Sequence, residues 1–574
     1  MKARNPAKPK VTITRSWGDL CPQLADGVSV DAPLTDGAPW VIAADGVPRA
    51  RVSADFARLA ELFDGRRTVK EAVEEANIGA DSPQAIGVVE ALANAGLLHR
   101  ESVEADGGGV VQRGDRSNSH FIFRPPLTIQ WVLFDPASFA RLVARPFQHP
   151  AFRVTMAVLA GALLVLAATS VGINGGVIVS ALSTPVPLGL FGWLIGAVIL
   201  TGCIHELSHA VTLAALGGRP TRMGIMLFYF MPAFFCDVTD GWRMGGRWRR
   251  AAVALAGPGL HLLLAAAAFG GLLIPGSADI REFLALYGFA CLVAVIANLL
   301  PFIKLDGYLA LVAITDRPYL RASAMAATRR SLVRRLYGAD TEPGMPREPP
   351  AMAIFGAACI LFPMAMFAWA AIRLQPTFVG MGSWMTAIYL LLVIAFVAAT
   401  TRRLVRSVAA SLRHGAHVGR VILVTGAVLA AVSGALLIPV PATAHLGFVA
   451  SEGQVLLISS TAPALEPLQP GEPVRLLSNG IVLRPEIATA EVSREAEEPM
   501  PVDAPVSALA PVWLPDATSE AWGVPLAVSE SFGALPAAGA AEVGFERSVP
   551  LGAYLFDLLV REPSQAMFGS VGAR

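Results

Sequence analysis

The chain has 574 residues, 54% hydrophobic and only 16% charged, with a formal net charge of +1 and a mean hydropathy of +0.55. Soluble chains carry about a quarter charged residues, so the composition excludes an ordinary soluble enzyme and points to a polytopic membrane protein. A near-zero charge argues against nucleic acid as a partner, and the five cysteines (Cys21, Cys203, Cys236, Cys291, Cys359), with no CxxC spacing, read as small buried hydrophobes.

The N-terminus, MKARNPAKPKVTITRSWGDL, is basic with no apolar core behind it, so no cleavable signal peptide is expected. Residues 1–104 read as a small cytoplasmic α+β module of winged-helix-like build. APWVIAADGVPRARV holds two strand-like pieces around an Asp-Gly turn. SADFARLAELFDG has Ser53 as N-cap and Asp64-Gly65 as its end, and two further short helices follow in TVKEAVEEAN and SPQAIGVVEALANAGLL. Residues 105–150 are a linker and juxtamembrane segment: Gly-rich VEADGGGVVQRGDRSNS, then aromatic and basic HFIFRPPLTIQWVLFDPASFARLVARPF.

Seven spans are expected within 151–440, at 153–173, 188–215, 250–274, 282–313, 351–372, 382–401 and 418–439, the fourth broken. Arginines crowd 219–250, 317–347 and 402–420, whereas the intervening loops hold none, then Arg281, then Arg373. That alternation puts the basic loops and the N-terminal module in the cytoplasm and residues 441–574 outside, as in a bacterial inner-membrane protein. The stretch 223–241 is too short to span twice as helices and reads as a re-entrant hairpin. The tail 441–574, without lysine, reads as a β-rich domain with strands in GQVLLISS, EPVRLLSNGIVL and SVPLGAYLFDLLV and a looser acidic segment near 486–520.

The chemistry lies in TGCIHELSHAVTLAALGGRP, inside the second span. On a helix His205 and His209 project from one face one turn apart, and two imidazoles at that spacing can ligate one Zn²⁺ with Glu206 beside it as general base. Ionisable side chains in an apolar helix mark a functional site by default. A catalytic zinc site takes a third protein ligand and keeps an open position. ANLLPFIKLDGYLALV supplies Asp306, where Pro301 breaks the helix and Gly307 loosens the backbone, at the same depth as the histidines. Asp237 and Asp240 read as structural or solvated.

HELSH, AGPGLH and NLLPFIKLDG resemble the site-2 protease family of intramembrane zinc metalloproteases, and FYFMPAFFCDVTDGWRMGGRWRRAAVALAGP resembles its bacterial peptide zinc metalloprotease branch, over about 120–330. The resemblance implies zinc held by His205, His209 and Asp306, Glu206 as the base, and a water-filled pocket open to the cytoplasm. The sequence departs from the family's Gly-Pro-x-x-Asn: Gly257-Pro258-Gly259-Leu260 leads to His261. An imidazole there could donate to a tetrahedral oxyanion, or be satisfied by a helix carbonyl. Asn298 is a second candidate donor, with helix breaking or packing as its other reading. DGAPWVIAADGVPRARVSADFARLAELFDGRRTVKEAV is similar to the PqqD-like domains that bind leader peptides, which implies a peptide docked as an added strand. LQPGEPVRLLSNG has the Gly-turn cadence of the β-domains of secretion adaptors.

The expectation is a mainly α polytopic membrane protein: an intramembrane zinc endopeptidase acting on a peptide or single-pass membrane substrate, with an export transporter as possible partner of its outer domain. The alternative is a non-catalytic peptide export or adaptor protein that retains a zinc site.

Overall fold

The computed structural model describes residues 21–34, 38–44, 47–77, 89, 92–93, 97–99, 121–124, 128–228, 231–317, 319–338, 349–380, 382–413, 416–451, 453–460, 465, 468–493, 498–514 and 517–569. The Gly-rich linker, the Asp45-Gly46 turn and most of the third N-terminal helix expected from SPQAIGVVEALANAGLL lie outside them.

The N-terminal module opens with an antiparallel sheet, β1 (Val28–Asp31), β2 (Trp40–Ala44) and β3 (Val47–Val52), one strand more than the pair expected. Two capped helices follow, α1 (Ala54–Glu61) and α2 (Val69–Glu75). Ser53 accepts the Phe56 amide, and Thr68 and Glu71 form a reciprocal capping box, which satisfies amides that a helix start leaves bare. Their apolar faces close with β2 over a core of Ile42, Leu59, Phe63, Val69 and Val73.

The juxtamembrane segment is ordered differently from expectation. Strands β4 (Phe121–Arg124) and β5 (Thr128–Phe134) precede helix α3 (Ala137–Ala144). Seven helices are then long and apolar enough to cross a membrane, the architecture of an integral membrane protein. These are α4 (Pro150–Ser183, kinked at Asn174), α5 (Leu188–Ala215, after the two-residue strand β6, Val186–Pro187), α6 (Arg247–Gly271) and α7 (Ala278–Leu299); the short α8 (Asp306–Thr315) and α9 (Leu320–Leu332) separate them from α10 (Pro350–Gly380), α11 (Ser383–Arg413) and α12 (Val418–Leu436). Exposed aromatics mark both ends of the bundle: Trp193 and Trp384 at one, Trp248 and Tyr319 at the arginine-rich other.

Between α5 and α6 the expected hairpin is a pair of strands, β7 (Met223–Phe228) and β8 (Met231–Cys236). It joins the juxtamembrane strands in one antiparallel sheet, ordered β4-β5-β7-β8.

The tail forms a closed six-strand β-barrel, β10-β9-β16-β11-β12-β15 closing onto β10, with β13 added on β15. Its strands are β9 (Pro439–Ser451), β10 (Gln454–Ser459), β11 (Pro473–Leu477), β12 (Glu486–Val492), β13 (Met500–Pro505), β15 (Thr518–Ser531) and β16 (Ala538–Pro550), with α13 (Val506–Leu509) and β14 (Val512–Trp513) before β15. Two expectations are corrected. The acidic stretch near 486–520 is built largely of strands, because Ala488, Ala490, Val492 and Ala504 alternate inward. In SVPLGAYLFDLLV only Ser548–Pro550 is strand; from Leu551 the chain is helical, α14 (Leu551–Phe556), a π turn (Asp557–Arg561) and α15 (Glu562–Gly569), and it returns to the bundle where Gln375 donates to Glu562 at 3.3 Å. All five cysteines are free thiols, with Cys291 and Cys359 buried and the other three partly exposed.

Candidate metal centre

Helix α5 carries His205, Glu206 and His209, and α8 begins at Asp306. His205 lies ten residues from the end of α5 at Ala215, and Asp306 about as far from the arginine-rich loop after α8, so at 1.5 Å per residue each is about 15 Å along its helix from that side. His205 Nε2 is 3.0 Å and His209 Nε2 3.4 Å from Asp306 Oδ2, and the two Nε2 atoms are 3.2 Å apart. Both imidazoles are buried. These three side chains are the group able to hold a metal ion among the described residues. Asp237 and Asp240 are not part of it: Asp237 pairs with Arg222, and Asp240 with Arg243 and the Arg219 amide.

The donor set fits a tetrahedral cation. Bonds of about 2.0–2.1 Å put tetrahedral ligands about 3.3 Å apart, as found here. His209 Nδ1 faces the Val253 carbonyl at 2.7 Å. A carbonyl only accepts, so Nδ1 carries the proton and the neutral ring offers a bare Nε2 lone pair. That lone pair, a second imidazole and a buried carboxylate oxygen that accepts no well-formed hydrogen bond all converge. Such a cluster can take up a cation.

Two glycines allow the convergence. A Cβ on Gly257 of α6 would lie 2.3 Å from His205 Cε1 and 2.6 Å from His209 Nε2, so only glycine lets α6 lie against the ligands. A Cβ on Gly307 would lie 2.3 Å from the Leu299 carbonyl oxygen. The Asp-Gly pair therefore serves close approach, pressing the first turn of α8 onto the end of α7, rather than the loosening expected from sequence.

Glu206 and the metal donors His209 and Asp306 line a cavity of about 180 Å³ together with Cys236, Trp242 and Arg250. One Glu206 oxygen accepts the Cys236 amide at 3.0 Å, so the last residue of β8 fixes that carboxylate. His261 is buried with its ring centroid 5.0 Å from that of His205, and its Nδ1 has no hydrogen-bond partner among the described residues. Neither His261 nor Asn298 lines the cavity, and Asn298 gives its amide to the Ala294 carbonyl one turn back in α7, at 2.9 Å.

Sequence reading missed four contributors: the Val253 carbonyl, the Cys236 amide, Gly257 and Arg250. Only the last two left a trace, since Arg250 and Gly257 recur with His261 at helical spacing on one face of α6. The N-terminal module was not expected at the cavity mouth either. Arg51 of β3 stacks on Trp242 at 4.9 Å and pairs with Asp316, which also takes Arg250 at 2.7 Å. Arg243 bonds the Ala32 carbonyl at 2.8 Å and its own carbonyl takes the Leu34 amide at 3.1 Å.

Comparison of the chain with protein-family models, with curated proteins and with solved structures finds no match.

Proposed function

We propose that the chain is an integral-membrane zinc metalloendopeptidase that cleaves a peptide or membrane-associated precursor. The observation carrying this reading is the meeting of two imidazole Nε2 atoms and the Asp306 carboxylate within 3.0–3.4 Å, with Glu206 on the wall of the same cavity. A zinc ion held by His205, His209 and Asp306 supplies Lewis-acid chemistry, acidifying water and polarising a carbonyl.

The chain's own groups do the rest. The Val253 carbonyl fixes the His209 tautomer. Glu206, held by the Cys236 amide, takes a proton from water and returns it to the leaving amine. A structural metal site needs no such base, which favours catalysis over a silent adaptor. His261 packs beside His205, its ring centroid 5.0 Å away, and supports that imidazole from behind the cavity wall. Among the described residues the outer edge of β8 pairs with no strand, and a substrate backbone added there would run past Glu206. The arginine-rich face points to the cytoplasm by the positive-inside rule, which puts the N-terminal module inside and the barrel outside. A peptide-recognition role for that module is supported by its seat at the cavity mouth.

The test is metal content of purified, detergent-solubilised protein beside Asp306→Ala and Glu206→Gln. About one zinc per chain is expected in wild type and Glu206→Gln, and none in Asp306→Ala. Glu206→Gln should also trap uncleaved precursor. Zinc-free, well-folded wild type, or a Glu206→Gln protein with full biological function, hands the reading to the export adaptor.

A further inference from the structure

Residues 317–338 contain six arginines (Arg317, Arg321, Arg329, Arg330, Arg334, Arg335) and no acid, and the proposed chemistry uses none of them. Helix α9 lies within this stretch and packs against the first turns of α10. The two backbones touch: a Cβ on Gly356 would lie 2.0 Å from the Ala324 carbonyl oxygen, and Thr328 donates its hydroxyl to the Ala353 carbonyl at 2.7 Å.

Beside that contact lies a groove of about 440 Å³, walled by Leu332, Arg335, Ile354, Ala357, Ile360 and Leu361. It has a direction. Arg335 and the Ser331 hydroxyl stand at the end where α10 begins, at Pro350, whereas Leu361 lies eleven residues along α10 (361 − 350), about 16 Å deeper. A ligand that matches this gradient has an anionic head and a hydrocarbon tail running along α10.

We infer that the groove is a binding site for one anionic phospholipid, its phosphate on Arg335 and an acyl chain along Ala357–Leu361. Charge decides between occupants. A partner's transmembrane helix would give Arg335 no counter-ion, and a zwitterionic lipid would bring its ammonium beside that guanidinium. The lipid closes the open side of the α9–α10 pair. Helix α9 in turn is tied to the Asp306 helix, because the Arg321 amide donates to the Tyr308 hydroxyl at 3.2 Å and Leu320 packs with Tyr308 and Val312.

The experiment is native mass spectrometry of the full-length protein in mild detergent with equal amounts of phosphatidylglycerol and phosphatidylcholine. Wild type and Arg335→Lys should retain one phosphatidylglycerol at least tenfold over phosphatidylcholine. Arg335→Ala should lose that preference, and Ala357→Phe, which fills the groove, should lose the lipid. Equal retention of the two lipids overturns the inference, as does undiminished retention by both variants. Displacement by millimolar glycerol phosphate would overturn it too, since a head-only site needs no groove. A stoichiometric co-purifying polypeptide in place of lipid would show that a partner helix holds this face.

Discussion

Helices α6 and α12 have the same mean hydropathy, 1.8, yet half of the apolar window of α6 is buried in protein and only 6% of that of α12. Both are glycine-bearing spans. In α6 Gly257 lets the helix lie against His205 and His209, with Arg250 and Val253 on the cavity wall and His261 beside His205. In α12 a Cβ on Gly419, Gly426 or Gly434 would meet nothing within 4 Å. Hydropathy measures compatibility with a membrane, while burial records which neighbour covers the surface. In a bilayer those are separate quantities, because lipid tails cover an apolar side chain as well as another helix does.

The contrast can be broken most severely at the donors that α6 encloses. Asp306→Ala should abolish stoichiometric zinc, read by metal analysis, and Glu206→Gln should keep zinc while lowering peptide cleavage by about 10²–10⁴-fold. Retained metal in Asp306→Ala would falsify the three-donor centre.

The paired glycines sharpen the comparison directly. Gly257→Ala should cost about 1–3 kcal/mol and most of the metal affinity, since the new methyl must displace His205 and His209. Gly426→Ala, facing open space, should stay within about 0.5 kcal/mol. Thermal unfolding of both variants in one detergent compares them; equal effects would remove the structural distinction.

A smaller change is expected at the seat of the N-terminal module. Asp316, more than half exposed, holds both Arg51 and Arg250, so Asp316→Asn should weaken that seat by about 0.5–1 kcal/mol, more at low salt than at high. Faster hydrogen exchange of the Val47–Val52 amides is the readout, and an unchanged rate would mean that the Arg243 contacts hold the module without Asp316.

The least effect is expected within the N-terminal module itself. Asp64 is exposed, and the Arg66 and Arg67 amides hold its carboxyl below the usual range. A lowered folded-state pKa adds stability above the unfolded value of about 3.9, which is lost as pH falls through the folded value. Acid titration of wild type against Asp64→Asn should therefore converge only below about pH 4, with metal content at neutral pH unchanged between them.

Local rules made much of the molecule legible. The seven spans follow from apolar length, the caps of α1 and α2 from Ser53 and the Thr68–Glu71 spacing, and the two imidazoles from a four-residue interval on a helix. Even Asp306 was within reach, because Pro301 and Gly307 interrupt a mostly apolar run. The tail was less legible: Leu551–Phe556 alternates poorly and is apolar enough for either element, and it is helical.

The sequence by itself determined which segments can enter a membrane and which side chains could bind a cation. Those are properties of composition and of spacing along one element. Only the tertiary structure decided that β4–β5 pairs with β7–β8 across two intervening spans, that Val253 orients His209, and that Arg51 sits on Trp242. Each is a contact between residues far apart in the chain, and an apolar helix face carries no local mark of whether lipid or protein will cover it. For α6 and α12, equal in hydropathy, that choice placed one beside the His205–His209–Asp306 cluster and left the other largely uncovered by protein.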